Sequence, residues 1–128
     1  MVQIDITFLP SGTVRTAVTP NLTSAHSNDQ VNWVFHSFDP AIQSVQVQFK
    51  PNNRSYFYPR GQGNPHQSLQ TDLVSGGATL WGRAPSLQTD GSEASEYTIR
   101  AFSTHSDDPH QHEIPEYYLD PTVVTEQP

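Results

Sequence analysis

The chain has 128 residues, of which 34% are hydrophobic and 15% charged, and its formal net charge is −7. This length matches one domain with a single core and is too short for two ordinary domains. The six lysine and arginine residues offer a phosphate backbone little to hold, so nucleic acid is disfavoured as a partner. The absence of cysteine excludes a thiolate metal site and a cysteine nucleophile.

The first residues, Met-Val-Gln-Ile-Asp, lack the basic region and apolar run of a secretion signal. No segment approaches the roughly 20 apolar residues that a membrane-spanning helix needs. The sequence therefore predicts a cytoplasmic protein without a membrane span. The eleven prolines and seven glycines leave no uninterrupted window with the apolar period of an amphipathic helix, which favours an all-β protein.

The first half of the chain carries the clearest strand pattern. Apolar residues alternate with polar ones in segment 2–8, and a second alternating run at 13–18 is expected to pair with it as a hairpin or to cross to another sheet. Segment 21–29 is interpreted as a polar loop. Segments 30–35 and 44–49 are predicted to be central core strands, with these residues facing inward: Val31, Trp33, Phe35, Val45, Val47 and Phe49.

The second half is more interrupted. A short aromatic strand is predicted at 56–58, a long surface loop at 60–71, a strand at 78–81 and a polar loop at 84–93. The last hairpin is predicted to join a strand at 97–102 to a closing run at 117–124. Seven or eight short strands at this spacing predict a two-sheet Greek-key sandwich, with one domain at 1–125 and a frayed tail at 126–128.

Four stretches of the predicted strands can be compared with known sandwich folds: Asp29-x-Val31-x-Trp33, Val45-x-Val47-x-Phe49, Glu96-Tyr97-Thr98-Ile99 and Leu119-Asp120-Pro121-Thr122-Val123-Val124. Together they resemble the skeleton of cupredoxin-like sandwiches, in particular small bacterial proteins that keep the fold and lack the blue-copper centre. An immunoglobulin-like sandwich shows much the same pattern, so both topologies stay open.

The resemblance directs attention to the loop between the last two strands, from which ligands come in the resembling fold. Here that loop contains four imidazole or carboxylate candidates: His105, His110, His112 and Glu113. Imidazole suits Cu(II), Ni(II) and Zn(II), so the loop is a candidate metal site. A blue-copper centre cannot form, because it needs a cysteine thiolate. The other interpretation is a solvated polar loop whose closely spaced histidines bind metal only adventitiously.

A less favoured interpretation makes the protein a metalloenzyme. His110, His112 and Glu116 fit the H-x-H-x3-E ligand core of cupins, in which two histidines and a carboxylate hold a metal inside a β-barrel. The rest of the cupin pattern fails, since Thr104 stands where a glycine is expected and too little chain follows for a second motif. The sequence also has no G-x-S-x-G, phosphate-loop or H-E-x-x-H motif, so we do not expect an enzyme.

The aromatic residues predict surface contacts, because they exceed what one sheet face can bury and tyrosine and tryptophan are typical interface anchors. The chain also has few lysines to guard the open edges of a sandwich against pairing. We therefore expect a non-enzymatic binding or assembly module without a cofactor, acting through a protein partner or self-association. The candidate interface residues are Tyr56, Phe57, Tyr58, Trp81, Tyr117 and Tyr118.

Overall fold

The computed structural model describes residues 1–11, 14–50, 58–59, 68–87 and 91–127. Within these residues the chain forms ten strands and one short 3-10 helix, where the sequence predicted seven or eight strands. The first five strands are β1 (Val2–Ser11), β2 (Val14–Val18), β3 (Leu22–His26), β4 (Gln30–Ser37) and β5 (Ser44–Phe49). The others are β6 (Tyr58–Pro59), β7 (Ser68–Asp72), β8 (Gly77–Arg83), β9 (Ser92–Phe102) and β10 (Thr122–Glu126), with the 3-10 helix at Pro115–Tyr117.

The described strands form two sheets with the orders β2-β1-β4-β8-β6, called sheet 1, and β3-β10-β9-β5-β7, called sheet 2. This confirms the predicted all-β, two-sheet sandwich. The pairing of β1 with β2 as an antiparallel hairpin was one of the two expected arrangements. Each sheet also contains one parallel pair, β1 with β4 and β3 with β10, which departs from the two antiparallel sheets of the immunoglobulin fold.

The core lies between the sheets and follows the alternation read from the sequence. The predicted inward residues of β4 and β5 are all buried: Val31, Trp33, Phe35, Val45, Val47 and Phe49. On β1, Ile4, Ile6 and Phe8 are also fully buried. At the centre the rings of Trp33, Phe49 and Tyr97 contact one another with centroid separations of 5.8 to 6.0 Å, so aromatic packing joins the two sheets.

Two predicted loops contain edge strands. Segment 21–29 includes β3, and the predicted loop at 60–71 includes residues 68–71 of β7, so both loop predictions were wrong over those residues. Residues 60–67 of that predicted loop lie outside the described part of the chain. Strand β3 buries Ala25 and exposes Leu22, and β7 buries Leu69. All other residues of the two strands are polar. A terminal strand needs few buried positions, so its apolar alternation is too weak to read. Strand β5 pairs with β7 on one side and β9 on the other, so it is an interior strand of sheet 2, as predicted.

The closing hairpin has a register that the sequence did not reveal. Strand β9 is eleven residues long, and β10 pairs with its first half, so that Thr122 lies opposite Glu96. The second half of β9 pairs with β5. The predicted inward set of Tyr97, Ile99 and Ala101 is fully buried. Beyond β10, the side chain of Gln127 donates to the Leu87 carbonyl at 2.6 Å, so the end of the strand is tied to the body of the sandwich.

A buried carboxylate joins three parts of the fold. Asp39, in the connection from β4 to β5, accepts a 2.7 Å hydrogen bond from the hydroxyl of Tyr117 in the 3-10 helix. Its other oxygen accepts from the backbone N–H of Ala41 at 2.9 Å. The Nε atom of Arg15 on β2 lies 3.3 Å from the same carboxylate. These contacts fix the edge of sheet 1 against the loop that precedes β10.

Among the described residues, no helix is long and apolar enough to cross a membrane.

Candidate binding surface

The histidine loop between β9 and β10 is ordered by its own polar contacts. The side chain of Gln111 donates to the carbonyls of His105, at 2.9 Å, and Asp108, at 2.5 Å. The backbone N–H of Ser106 donates to Asp72 on β7 at 2.6 Å, and this hydrogen bond lowers the pKa of Asp72 below its ordinary value. The loop is therefore attached to the edge of sheet 2 through backbone groups and amides.

The structure does not gather the four predicted metal ligands. His105 Nδ1 lies 3.8 Å from Asp72 Oδ1, and Glu113 Oε1 lies 3.7 Å from Nη1 of Arg100. His110 and His112 are exposed side chains. Across the described ranges no three histidine, aspartate or glutamate side chains come together as a metal-binding group. The metal-binding interpretation stays a prediction.

The third member of the cupin-like triplet lies in the 3-10 helix. Its carboxylate, Glu116 Oε2, is 3.8 Å from Nη1 of Arg15 on β2, so it pairs with the edge of sheet 1. Glu116 is exposed, as are the two histidines of the triplet. A cupin site needs its ligands inside a barrel, and these three residues lie on the outside of a sandwich.

The predicted aromatic interface divides into separate locations. Tyr117 is fully buried and hydrogen bonded to Asp39, which corrects its assignment to the surface. Tyr118 is 41% exposed beside Arg100, whose guanidinium carbon lies 5.7 Å from the ring centroid. Trp81 is half-buried on β8. Tyr56, Phe57 and the side chain of Tyr58 lie outside the described residues. The predicted aromatics therefore do not form one described surface.

The structure instead reveals an apolar surface on the outer side of sheet 1, which we call the apolar face: Leu9, Val14, Val18 and Phe38. Their exposed fractions are 39%, 60%, 52% and 67%. The β1–β2 register places Leu9 opposite Thr16, so that Val14 and Val18 are its diagonal neighbours on the same face. Phe38 follows β4 directly and donates its N–H to the Phe8 carbonyl at 3.0 Å, which places it beside Leu9.

The apolar face lies at an edge of the sandwich. Strand β2 ends the order of sheet 1 and has β1 as its strand neighbour, while the 3-10 helix Pro115–Tyr117 packs against it. Its one charged residue, Arg15, reaches inward to Asp39 and Glu116. Charged side chains, and lysine above all, are the usual protection of such an edge against pairing with another chain. β2 has no lysine, and Val14 and Val18 occupy its outer face.

Sequence reasoning missed the apolar face for a definable reason. Val14 and Val18 were assigned to a strand, in which side chains alternate between the two faces of the sheet. The alternation alone does not say whether the valine side chains face the core or the solvent. The register with β1 decides this, because Val18 pairs with Thr7 on the polar side of that strand. The signal in the sequence was Leu9, which breaks the polar outward series of Gln3, Asp5 and Thr7.

Comparisons with known proteins give similarity of structure only. No protein-family profile and no curated protein matches the chain. Among solved structures, the McoA multicopper oxidase of Aquifex aeolicus is 10% identical, with 98% of this chain and 29% of that chain covered and a TM-score of 0.49. The copper-containing nitrite reductase NirK of Thermus scotoductus SA-01 is 11% identical, covering 98% and 30% of the two chains, with a TM-score of 0.46. The inclusion body protein PixA of Burkholderia cenocepacia J2315 is 11% identical, covering 99% and 96%, with a TM-score of 0.35. This chain thus spans less than a third of the oxidase and the reductase.

Proposed function

We propose that this protein is a non-enzymatic binding or assembly module that acts through protein–protein contacts at the β2 edge of sheet 1. The observation that carries the proposal is the apolar face beside an edge strand without lysine. A second copy of the chain, adding a strand alongside β2, is the partner that we expect. Main-chain hydrogen bonds from the added strand supply affinity, and side-chain contacts supply register.

The energetic argument rests on the exposed apolar side chains. Full burial of one valine, leucine or phenylalanine side chain is worth about 1.5–3 kcal/mol. Leu9, Val14, Val18 and Phe38 are partly exposed in the single chain, so covering them returns part of this free energy. Association also costs several kcal/mol of lost rigid-body freedom, about 4–15 kcal/mol by general estimates. The apolar face alone is therefore insufficient, and pairing along β2 is needed to complete the interface.

The proposal includes three finer expectations. We propose that the sandwich is of the small bacterial cupredoxin-like kind, that it works without a cofactor and that it acts in the cytoplasm. The absence of cysteine supports the lack of a blue-copper centre, because the copper–thiolate bond defines that centre. The two parallel pairs, β1 with β4 and β3 with β10, support a topology other than the immunoglobulin fold.

Light scattering of the purified protein after size exclusion tests the proposal. We expect the wild-type chain to form dimers or larger species as its concentration rises, and Val18→Lys to shift the population to monomers. Val18 is exposed on the edge strand, so the lysine is tolerated in the monomer and its charge opposes pairing.

Thr79→Lys provides the matched control, because Thr79 is an exposed strand residue on β8 and receives the same charge. We expect this variant to assemble as the wild type does. A wild-type protein that stays monomeric at the highest soluble concentration, or a Val18→Lys variant that assembles normally, would contradict self-association through β2.

A further inference from the structure

A small cavity lies on the outer side of sheet 2, on the opposite face of the sandwich from the apolar face. Its volume is about 290 Å³, and it is lined by Gln48, Phe49, Lys50, Thr98, Arg100 and Tyr118. Its lining includes none of the histidines and no residue of the β2 edge; Tyr118 comes from the end of the β9–β10 connection. We call it the cationic pocket.

The pairing of β5 with β9 builds this pocket. Gln48 lies opposite Thr98, and Gln46 lies opposite Arg100, so alternate residues of both strands point outward together. Lys50 follows β5 and donates its backbone N–H to the Glu96 carbonyl at 3.0 Å, which continues the pairing for one more residue.

An aromatic wall closes the other side. Leu119 forms a bridge with Ile99, and this contact places the preceding residue, Tyr118, along the side of β9 that faces away from β5. The Tyr118 hydroxyl donates to Asp120 at 3.3 Å, while its ring lies beside the Arg100 guanidinium. The pocket therefore combines one ring, two cationic groups, an amide and a hydroxyl.

Two lining residues are charged, and both are basic, while three carboxylates pair with them from outside the lining. Lys50 and Arg100 are two of only six basic residues in a chain of net charge −7, and no acidic residue lines the cavity. The hydrogen bond to Asp120 is the main reason that the pKa of Lys50 is raised above its ordinary value. Arg100 Nε is buried and has no hydrogen-bond acceptor within the described part of the chain.

The acids that accompany these cations stand outside the lining and make long contacts. Lys50 Nζ lies 3.3 Å from Asp120 Oδ1 and 3.6 Å from Glu96 Oε2, and Arg100 Nη1 lies 3.7 Å from Glu113 Oε1. Ion pairs of this partly exposed kind contribute only about 0–1 kcal/mol. Charge-assisted hydrogen bonds of about 2.7–2.9 Å to a better placed acceptor are stronger. An anion that binds here must displace at least one of these three carboxylates from its cation.

We infer that the cationic pocket binds the carboxylate group of a small organic acid. The fork of donors on a guanidinium matches the planar carboxylate, and Lys50 supplies a second positive charge. The Gln48 amide adds a neutral donor, and the Tyr118 ring supplies an apolar surface for the body of the acid. This inference is independent of the proposed assembly through β2.

Calorimetric titration with benzoate tests the inference, with neutral benzamide and inorganic sulfate as comparison ligands. We expect saturable benzoate binding that weakens as salt is added, because charge interactions at a surface are screened. Benzamide keeps the ring and the size of the ligand but lacks the charge, so we expect no measurable binding. Sulfate binding as tight as that of benzoate would overturn the assignment to carboxylates.

Substitutions locate the site. We expect Arg100→Gln and Lys50→Gln each to weaken benzoate binding by tenfold or more. Arg83→Gln removes the same charge from an exposed position on β8 outside the pocket, and we expect it to bind benzoate as the wild type does. The two variants at different elements keep the test valid if one of them folds poorly. Absence of benzoate binding to the wild type, or equal loss in Arg83→Gln, would overturn the inference.

Discussion

Removal of one hydroxyl group tests whether the buried carboxylate of Asp39 fixes the edge of sheet 1 against the loop that precedes β10. Tyr117→Phe deletes the donor of the 2.7 Å hydrogen bond to Asp39 and keeps the ring, whose edge packs against Phe8 at a centroid distance of 5.1 Å. A hydrogen bond to a charged group contributes about 1.5–3 kcal/mol. Asp39 and Tyr117 are both buried, so loss of the hydroxyl leaves that Asp39 oxygen with the Arg15 guanidinium as its remaining described partner. We expect urea denaturation to give a free energy of unfolding lower by about 1.5–3 kcal/mol.

The dependence of this loss on pH separates a charge interaction from a packing defect. Burial alone raises the pKa of Asp39, but the hydrogen bonds from Ala41 and Tyr117 and the charge of Arg15 together lower it below its ordinary value. A carboxyl group with a lowered pKa stabilises the folded state above its unfolded pKa, about 3.9, and loses this contribution as the pH falls through the folded value. We therefore expect the difference between wild type and Tyr117→Phe to be full at pH 6 to 7 and to shrink below about pH 4.

The adjacent residue provides the matched control. Tyr118 is exposed, and its hydroxyl donates to Asp120 at 3.3 Å, so Tyr118→Phe removes the same group from the surface. Surface substitutions of this kind change stability by about 0.5 kcal/mol or less. A Tyr117→Phe variant within 0.5 kcal/mol of the wild type, or a loss that is equally large at pH 3 and pH 7, would refute the reasoning about Asp39.

Two further predictions concern the turn before β8 and the histidine loop. Gly76 has φ +77°, and a Cβ atom there would lie 2.9 Å from the Ser37 carbonyl oxygen. We expect Gly76→Ala to lower the free energy of unfolding by about 1–3 kcal/mol. Gly77→Ala is the control, because a Cβ atom there lies 3.8 Å from its nearest neighbours, and it should lower the free energy of unfolding by less than about 1 kcal/mol. Equal costs would contradict this reading of the turn. For the loop, we expect untagged protein to bind Zn(II) or Cu(II) only weakly and without fixed stoichiometry, because His110 and His112 are exposed and lack a third converging ligand in the described structure. Mass-spectrometric metal analysis showing one tightly held ion per chain, lost in His112→Ala, would instead establish the metal site.

The sequence predicted the interior well because burial imposes a period that can be read directly. Val31, Trp33 and Phe35 alternate in a strand that lies in the middle of sheet 1, where one whole face must be covered. Edge strands obey a weaker constraint. Strand β3 buries only Ala25 among polar neighbours, and the sequence therefore indicated a loop.

The sequence could not predict which strands pair with one another, and the reason is different. The parallel alignment of β1 with β4 joins strands separated by two others along the chain, and no local pattern specifies such a contact. The same limitation hid the candidate sites. Lys50 and Arg100 come together only through the β5–β9 pairing, and Val18 faces outward only because of its register with Thr7. The surface of a sandwich depends on its pairing, which a single sequence does not encode locally.

The positions of the two proposed sites make their tests separable. The apolar face lies on the outer side of sheet 1, and the cationic pocket lies on the outer side of sheet 2, so the packed core stands between them. A second copy docked along β2 leaves Arg100 accessible, and a carboxylate beside Arg100 leaves Val18 free to pair. Mutations at distant sites without shared partners usually have additive effects. Val18→Lys should therefore change assembly without changing benzoate affinity, and Arg100→Gln should do the reverse. A variant that alters both properties would indicate a rearranged fold rather than the loss of one site.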